Sequence, residues 1–199
     1  MFISLEGIDG SGKSTQARLL AQHLRGLGQE VVLTREPGGS TGAEQIRDLL
    51  VRGTGNRWSA ETELLLFTAA RRDHLEQVIW PALGAGKTVI SDRFADSTRV
   101  YQGVVRGDLG PLVEDLHRLV IGIEPELTFL VDLPAPLALS RGLSRGGSES
   151  RYESMGLDFH ERLRQGFLDL AGSEPGRFRV IDGRGDEAMV AARIRAALP

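Results

Sequence analysis

The fold is decided by residues 2–15, which read FISLEGIDGSGKST. The apolar start of this stretch is typical of a buried strand, and residues 7–14 fit the pattern G-x-x-x-x-G-K-[ST]. A helical pattern, QARLLAQHLRGLG, follows directly. Glycines let such a loop point successive backbone N–H groups at one anion, and the helix N-terminus adds its positive end. The sequence therefore predicts a phosphate-binding loop between a strand and a helix.

The side chains of this loop predict ATP and a metal ion as its ligands. Lys13 is placed to reach the β- and γ-phosphates of ATP, and the Ser14 hydroxyl is placed to bind Mg²⁺. Asp92, which ends a later strand, is the second predicted ligand of Mg²⁺. The loop residues predicted to contact ATP are Gly7, Ile8, Asp9, Gly10, Ser11, Gly12, Lys13, Ser14 and Thr15.

Apolar runs alternate with longer helical patterns on the C-terminal side of the loop. Strands are predicted at residues 2–5, 30–34, 88–91, 127–131 and 178–181. Helices are predicted near residues 13–27, 41–52, 61–83, 95–105, 111–121, 135–144, 157–171 and 186–197. This alternation predicts a three-layer α/β fold with a five-stranded parallel sheet. Ligands of such sheets bind at the carboxyl ends of the strands, where Glu6, Arg35, Asp92 and Arg93 are expected.

Length, composition and charge limit the remaining possibilities. The chain has 199 residues, 41% of them hydrophobic and 26% charged, which suits one globular domain over residues 1–199. The net charge of -3 predicts no general attraction to nucleic acid or membranes. There are no cysteines, which excludes disulfides. The N-terminal MFISLEGIDG lacks the basic leader of a signal peptide, so we expect a cytoplasmic enzyme.

Residues after the third strand separate the classes of protein that use this loop. A guanine-binding GTPase needs an Asn-Lys-x-Asp motif, but the single asparagine, Asn56, precedes Arg57. Motor ATPases usually end this strand in Asp-Glu, whereas here it ends in Asp92 and Arg93. An arginine at that place is suited to clamping an anionic acceptor. A phosphate acceptor is mostly ionised at pH 7, so no general base is needed. This pattern predicts a kinase that acts on a phosphate-bearing acceptor.

Four motifs resemble the thymidylate kinase family and occur in the family's order. They are EGIDGSGKST at 6–15, TREPGG at 34–39, FTAAR at 67–71 and DRFADSTRVYQG at 92–103. The second half of the chain matches in layout more than in letters. The resemblance implies a P-loop kinase, typically a homodimer, that transfers the γ-phosphoryl group of MgATP to dTMP. A kinase for UMP, CMP or AMP stays open, and so does a nucleotide-binding switch without acceptor turnover.

The resemblance also implies roles for the residues that would bind the acceptor. Phe67 would stack on thymine and Arg71 would bind its O4 edge; as i and i+4 on a helix they share a face. Arg93 would hold the acceptor phosphate, and Arg47 would assist it. Without the resemblance, the neighbouring Leu64–Leu66 favour core packing for Phe67, and Arg47 is as well explained as a surface residue as it is as a ligand.

The same resemblance also implies which residues would contact the sugar and the edge of the base. Asp9 would lie near the deoxyribose and the phosphates, and Glu36 would face the acceptor's sugar. Thr98 and Gln102 would contact the base edge. Tyr101 would lie against the deoxyribose, where a ribose 2′-hydroxyl would collide.

The polar stretch SRGLSRGGSES at 140–150 predicts a lid at about residues 141–153. One branch of the family carries a catalytic arginine inside the phosphate loop, but Gly10 occupies that place here. The resemblance therefore implies that a lid arginine acts instead, with Arg145 and Arg151 favoured. Arg141 would rather stack on adenine, near the loop 182–185. The predicted catalytic residues are Lys13, Arg93, Asp9, Arg145 and Arg151.

Overall fold

The computed structural model describes residues 1–51, 57–105, 109–143 and 155–199. Their strands form one parallel five-stranded sheet in the order β2-β3-β1-β4-β5. The strands are β1 (Phe2–Glu6), β2 (Val31–Arg35), β3 (Thr88–Asp92), β4 (Leu127–Asp132) and β5 (Phe178–Asp182). The prediction of a five-stranded parallel sheet is confirmed, and each predicted strand boundary lies within one residue of the observed one.

Helices connect the strands at the predicted places. They are α1 (Lys13–Gly26), α2 (Thr41–Val51), α3 (Ala60–His74), α4 (Trp80–Gly84), α5 (Ala95–Thr98), α6 (Gly110–Leu116), α7 (Ala135–Leu143), α8 (Leu157–Ser173) and α9 (Glu187–Ala196). None of those in the described part of the chain combines the length and the apolar character that a transmembrane span requires.

Among the described residues, three helical runs contain π-helical turns that the sequence pattern did not predict: Leu75–Ile79, Arg99–Val105 and His117–Ile121. The first lies between α3 and α4, where Pro81 has no N–H to donate to the preceding turn. The N–H of Trp80 bonds to the carbonyl of Leu75, five residues earlier. The second follows α5 and carries Tyr101 and Gln102, which are predicted to contact the sugar and the base edge. Wider turns of this kind are frequent at functional sites.

The core lies on both faces of the sheet, as a parallel sheet requires. Ile3 and Leu5 of β1 point to the face covered by α1 and α9, where Leu20 packs. Phe2 points to the other face, against the run that contains Leu75. Alternate residues of one strand therefore fill two layers of core. These layers hold β1 rigidly in the middle of the sheet, so the phosphate loop that follows it has a fixed base.

Candidate active site

The glycines of the phosphate loop adopt backbone angles that other residues rarely reach. Gly7, Gly10 and Gly12 have φ angles of 137°, 82° and 100°. Two of them are also in close contact with neighbouring backbone. A Cβ at Gly7 would lie 2.6 Å from the carbonyl oxygen of Val131, and one at Gly10 would lie 2.0 Å from that of Ala138. Because α7 packs directly on Gly10, an arginine could not occupy this place without displacing that helix.

Lys13 lies inside the loop rather than in solvent. Its side chain is buried, and Nζ donates to the Ile8 carbonyl oxygen at 2.7 Å. Burial, together with the nearby cation of Arg93, lowers the pKa of Lys13 to about 8, against the opposing effect of Asp9 and two further carboxylates. The ammonium is therefore partly desolvated, and an arriving phosphate would favour its charged form.

Ser14 and Asp92 form a pair suited to Mg²⁺. The Ser14 hydroxyl donates to Asp92 Oδ2 in a very short contact. Asp92 Oδ1 is buried and has no hydrogen-bond partner within the described residues. No cluster of three or more His, Cys, Asp or Glu side chains suited to a metal occurs in that same part of the chain. One hydroxyl and one carboxylate fit Mg²⁺, which usually takes its other ligands from substrate phosphates and water.

A cleft opens beside the loop, and the residues predicted to bind the acceptor line it together. Its empty volume is about 700 Å³, counting the space open to solvent. The predicted residues on its walls are Glu36, Arg47, Phe67, Arg71, Arg93, Thr98, Tyr101 and Gln102, with Asp9 of the phosphate loop. Residues from four separate sequence motifs thus meet at one edge of the sheet.

Arg93 joins the cleft to the phosphate loop. Its backbone has a φ of 73°, in the left-handed region that residues with a Cβ rarely adopt. Its Nη1 donates to the Gly7 carbonyl oxygen at 3.1 Å and to Ser97 Oγ at 2.9 Å. Its Nη2 forms an ion pair with Asp9. The guanidinium therefore lies at the mouth of the loop, where an acceptor phosphate would have to be held.

The surroundings keep this ion pair charged. Burial opposes the charged form of Asp9, but Arg93 and Lys13 outweigh it and lower the pKa of Asp9 to about 2. Burial would by itself lower the pKa of Arg93, yet Tyr101 and neighbouring carboxylates, Asp9 first among them, raise it above its ordinary value. The Tyr101 hydroxyl also donates to Asp9 Oδ2 at 3.0 Å. Asp9 and Arg93 are therefore fixed to each other and to the wall of the cleft.

Arg71 is held by partners on two of its sides. Its Nε forms a buried ion pair with Glu36 Oε2 at 2.7 Å. Its Nη2 donates to Thr98 Oγ1 at 2.9 Å and to the Phe94 carbonyl oxygen at 3.2 Å. The other oxygen of Glu36 contacts His74 Nδ1 at 3.0 Å. Glu36 was expected to face the acceptor's sugar; it borders the cleft, but both of its oxygens bind protein groups.

The remaining residues of the cleft wall differ in how firmly they are held. Phe67 is only partly buried and lines the cleft, so part of its ring is open to a ligand there. Arg47 donates from Nη1 to the Pro37 carbonyl oxygen, which turns it inward instead of into solvent. Gln102 is buried, and its Nε2 donates to Glu63 Oε1 at 2.7 Å.

Arg141 lies on the opposite side of the phosphate loop. It donates to the carbonyl oxygens of Gly183 and Gly185 at 3.4 and 3.3 Å, so it packs on the loop predicted to lie near adenine. Arg145 and Arg151, the favoured lid arginines, lie outside the described residues.

Sequence reasoning missed several residues that support the site. Glu6 is buried and accepts from the Phe94 N–H at 2.7 Å and from Ser97 Oγ at 2.6 Å. Burial, with the Asp96 carboxylate, raises the pKa of Glu6 to about 7. The sequence placed it at a strand end but gave it no role. Glu63 had a usable signal, because with Phe67 and Arg71 it forms an i, i+4, i+8 series on one face of α3.

Comparison with known proteins identifies the family. The family model described as Thymidylate kinase matches residues 5–194. The chain is 65% identical to the thymidylate kinase of Dinoroseobacter shibae, with 98% of this chain and 95% of that protein covered. It is 62% identical to that of Ruegeria pomeroyi, with 98% and 92% covered.

A solved structure supports the same assignment. The crystal structure of thymidylate kinase from Ehrlichia chaffeensis matches with a TM-score of 0.83 at 37% identity, and the match covers 100% of this chain and 98% of that one. Sequence and fold agree along nearly the whole length, and the chain therefore belongs to the thymidylate kinase family.

Proposed function

We propose that this chain transfers the γ-phosphoryl group of ATP to dTMP, giving ADP and dTDP. One observation carries the proposal: the Arg93 guanidinium touches the phosphate loop on one side and lines the cleft on the other. A phosphate held there is next to the loop that holds the donor. The relatives named thymidylate kinase, at up to 65% identity, support dTMP as the acceptor over other monophosphates.

The chemistry needs positioning and charge neutralisation more than proton transfer. The acceptor phosphate loses its second proton at a pKa of about 6, so its oxygen is already nucleophilic at neutral pH. Lys13 and Arg93 bring positive charge to either side of the transferred group, where negative charge spreads in the transition state. Asp9 keeps the Arg93 guanidinium oriented before the acceptor arrives.

Ser14 and Asp92 are proposed to hold Mg²⁺. When bound there, the ion would supply positive charge that neutralises part of the charge on the donor's phosphates. The proposal is supported by the unpartnered Asp92 Oδ1 beside the Ser14 hydroxyl. The ion would take its remaining ligands from ATP and water, as Mg²⁺ sites with few protein ligands usually do.

The acceptor's base and sugar are proposed to lie along the wall of the cleft. Phe67 offers an aromatic face for stacking, and the Nη1 group of Arg71 remains to donate to the O4 edge. Tyr101 contacts Asp9 of the ion pair at the phosphate site, and it is proposed to lie against the deoxyribose. Thr98 is proposed to act through Arg71, since its hydroxyl accepts from that guanidinium.

We also propose a single domain whose lid, at about 141–153, supplies Arg145 or Arg151 to the transferred phosphoryl group. Closure of such a lid would exclude water until both substrates are bound. Arg141, on the loop formed by Gly183 and Gly185, is proposed to contact adenine.

A homodimer in the cytoplasm is the proposed working form, by likeness to the family. Leu65 of α3 is 55% exposed and Leu119 of the adjoining π-helical turn is 69% exposed, which leaves apolar surface for a second copy. Light scattering after gel filtration tests this, and a monomer mass at micromolar concentration would contradict it.

The function is tested by steady-state ADP release with dTMP, UMP, CMP and AMP as acceptors. We expect dTMP to give the highest kcat/KM. ADP release with UMP or CMP but not with dTMP would show that the acceptor is wrong. ATP binding without acceptor-dependent turnover would instead indicate a nucleotide-binding switch.

A further inference from the structure

We propose that Glu63 is a specificity-determining residue that acts through Gln102. By fixing the orientation of the Gln102 amide, it makes the cleft select a pyrimidine with an N3–H group, such as thymine or uracil, over cytosine. This inference rests on the proposed function, because it requires the acceptor's base to lie beside Gln102.

The contact between the two side chains is direct and buried. Glu63 is 0% exposed and Gln102 is 1% exposed, and the Gln102 Nε2 donates to Glu63 Oε1 at 2.7 Å. Gln102 lines the cleft, whereas Glu63 lies behind it. Glu63 is therefore a positioning residue with no contact to the acceptor.

The chemistry of the carboxylate decides which way the amide turns. A carboxylate accepts hydrogen bonds and cannot donate them, so only the NH₂ end of Gln102 can face it. The carbonyl oxygen Oε1, at the other end of the same amide, is then the group that Gln102 presents toward the cleft. Rotation of the amide by half a turn would place two acceptors against each other in a buried site, which is costly.

Arg71 supplies the complementary half of this pattern. Its Nε and Nη2 are bound to Glu36 and Thr98, so the guanidinium presents a donor at a fixed place. The cleft thus offers one acceptor from Gln102 and one donor from Arg71. Thymine and uracil carry an N3–H donor and an O4 acceptor, which match both groups. Cytosine carries an N3 acceptor and a 4-amino donor, which oppose both.

A simpler explanation for Glu63 is its place in the first turn of α3. Acidic side chains there stabilise a helix through its dipole, whatever they do for a ligand. Glu61 occupies the same turn, carries the same charge and is exposed. Glu61→Gln therefore removes the same charge without touching Gln102, and it is the matched control.

The test compares kcat/KM for dTMP, dCMP and dUMP in the wild type, Glu63→Gln and Glu61→Gln. In Glu63→Gln the new amide can donate as well as accept, so Gln102 can turn to suit cytosine. We expect the dTMP-to-dCMP ratio to fall about tenfold or more in Glu63→Gln and to change less than about twofold in Glu61→Gln. The dTMP-to-dUMP ratio should stay constant, because these two bases share the same N3–H and O4 edge.

The dTMP-to-dUMP ratio distinguishes a change in base specificity from a general loosening of the cleft. A merely structural role would change both ratios together, and that result would overturn the proposal. So would an unchanged dTMP-to-dCMP ratio in folded Glu63→Gln, or an equal change in Glu61→Gln.

Two further results keep the proposal falsifiable. If Glu63→Gln does not fold, Glu63→Met removes the acceptor with a side chain of similar length and is held to the same expectation. A wild-type preference for dTMP over dCMP below about tenfold would contradict the proposal whatever the variants do, since two opposed polar groups cost more than that. A wild type that turns over other monophosphates but not dTMP would instead refute the proposed function.

Discussion

The phosphate loop and the acceptor cleft are adjacent, but backbone groups form most of the loop and side chains form most of the cleft. The loop consists of backbone: Gly7, Gly10 and Gly12 turn it, and a carbonyl oxygen holds Lys13. The cleft consists of side chains already paired with one another, such as Asp9 with Arg93. A backbone cradle binds any similar phosphate, whereas paired side chains select one ligand. We therefore expect the phosphate loop to accept several phosphate donors and the cleft to select its acceptor.

The largest expected effect concerns Lys13, the buried cation of the phosphate loop. Lys13→Ala should lower kcat about a thousandfold while the fold is retained, because the transferred phosphate loses a preorganised cation. Lys87→Ala is the control, since Lys87 is the other lysine of the chain and pairs with Glu30 at the surface. Steady-state kinetics and circular dichroism measure both properties. A decrease in kcat of less than about tenfold in Lys13→Ala would show that the loop backbone stabilises the transferred phosphate without Lys13.

The backbone nature of the loop is tested by a pair of glycine substitutions. Gly10→Ala places a Cβ at positive φ and against the Ala138 carbonyl oxygen, whereas Gly12→Ala has nothing within 4 Å of its Cβ. We expect Gly10→Ala to lower the free energy of unfolding by about 3–4 kcal/mol, from backbone strain plus overlap. Gly12→Ala should cost about 1–2 kcal/mol, from strain alone. Urea unfolding without nucleotide measures the free energy of unfolding of both variants. Equal decreases in the two would contradict the contact between Gly10 and α7.

The cleft side of the comparison is tested at Arg93. Arg93→Ala should lower kcat/KM for dTMP about 10–100-fold through a higher KM and slower transfer, because charge-assisted hydrogen bonds are lost. The KM for ATP should change much less. Arg118→Ala is the control, because Arg118 is 68% exposed, lies outside the cleft and pairs with Asp115 at the surface. Normal kinetics in Arg93→Ala would remove the proposed clamp.

The smallest effect is the pH dependence of ATP binding. The pKa of Lys13 is about 8 in the nucleotide-free protein, because of burial first and then Arg93. Bound phosphates favour the ammonium and raise this pKa, so binding takes up a proton above pH 8 and none well below it. ATP affinity should therefore be level up to pH 7 and fall about tenfold by pH 9. Calorimetry in buffers of different ionisation enthalpy measures the uptake, which should vanish in Lys13→Ala.

The two sites also differ in how far a sequence can predict them. The phosphate loop is contained in residues 7–14, and local pattern was enough to place it after β1. The pairs of the cleft join residues far apart: Glu36 to Arg71 over 35 positions, Glu63 to Gln102 over 39 and Asp9 to Arg93 over 84. Motif resemblance named most members of these pairs but not their pairing. Which oxygen meets which nitrogen depends on the packing of α3 against the turns after β3.

Some features that the sequence did not predict have a specific physical cause. His74 lies in the polar sequence ARRDH, yet it is fully buried because Thr34 and Glu36 bind its two ring nitrogens. The sequence shows a glycine at position 10, but it does not show why one is needed there. The backbone of Ala138, which leaves no room for a side chain, lies more than a hundred residues away in the sequence. Burial of a polar side chain is a property of the assembled sheet, and local periodicity does not report it.

The Asp9–Arg93 ion pair has a consequence for the empty enzyme in a cell. The guanidinium carries its own counter-ion, so chloride or inorganic phosphate entering the cleft would only exchange one anionic partner for another. Such an exchange yields little net attraction. A mononucleotide would bring stacking and base contacts along with its phosphate, so we expect it to gain enough to displace Asp9. We therefore expect the resting cleft to be shielded from the salts that surround it.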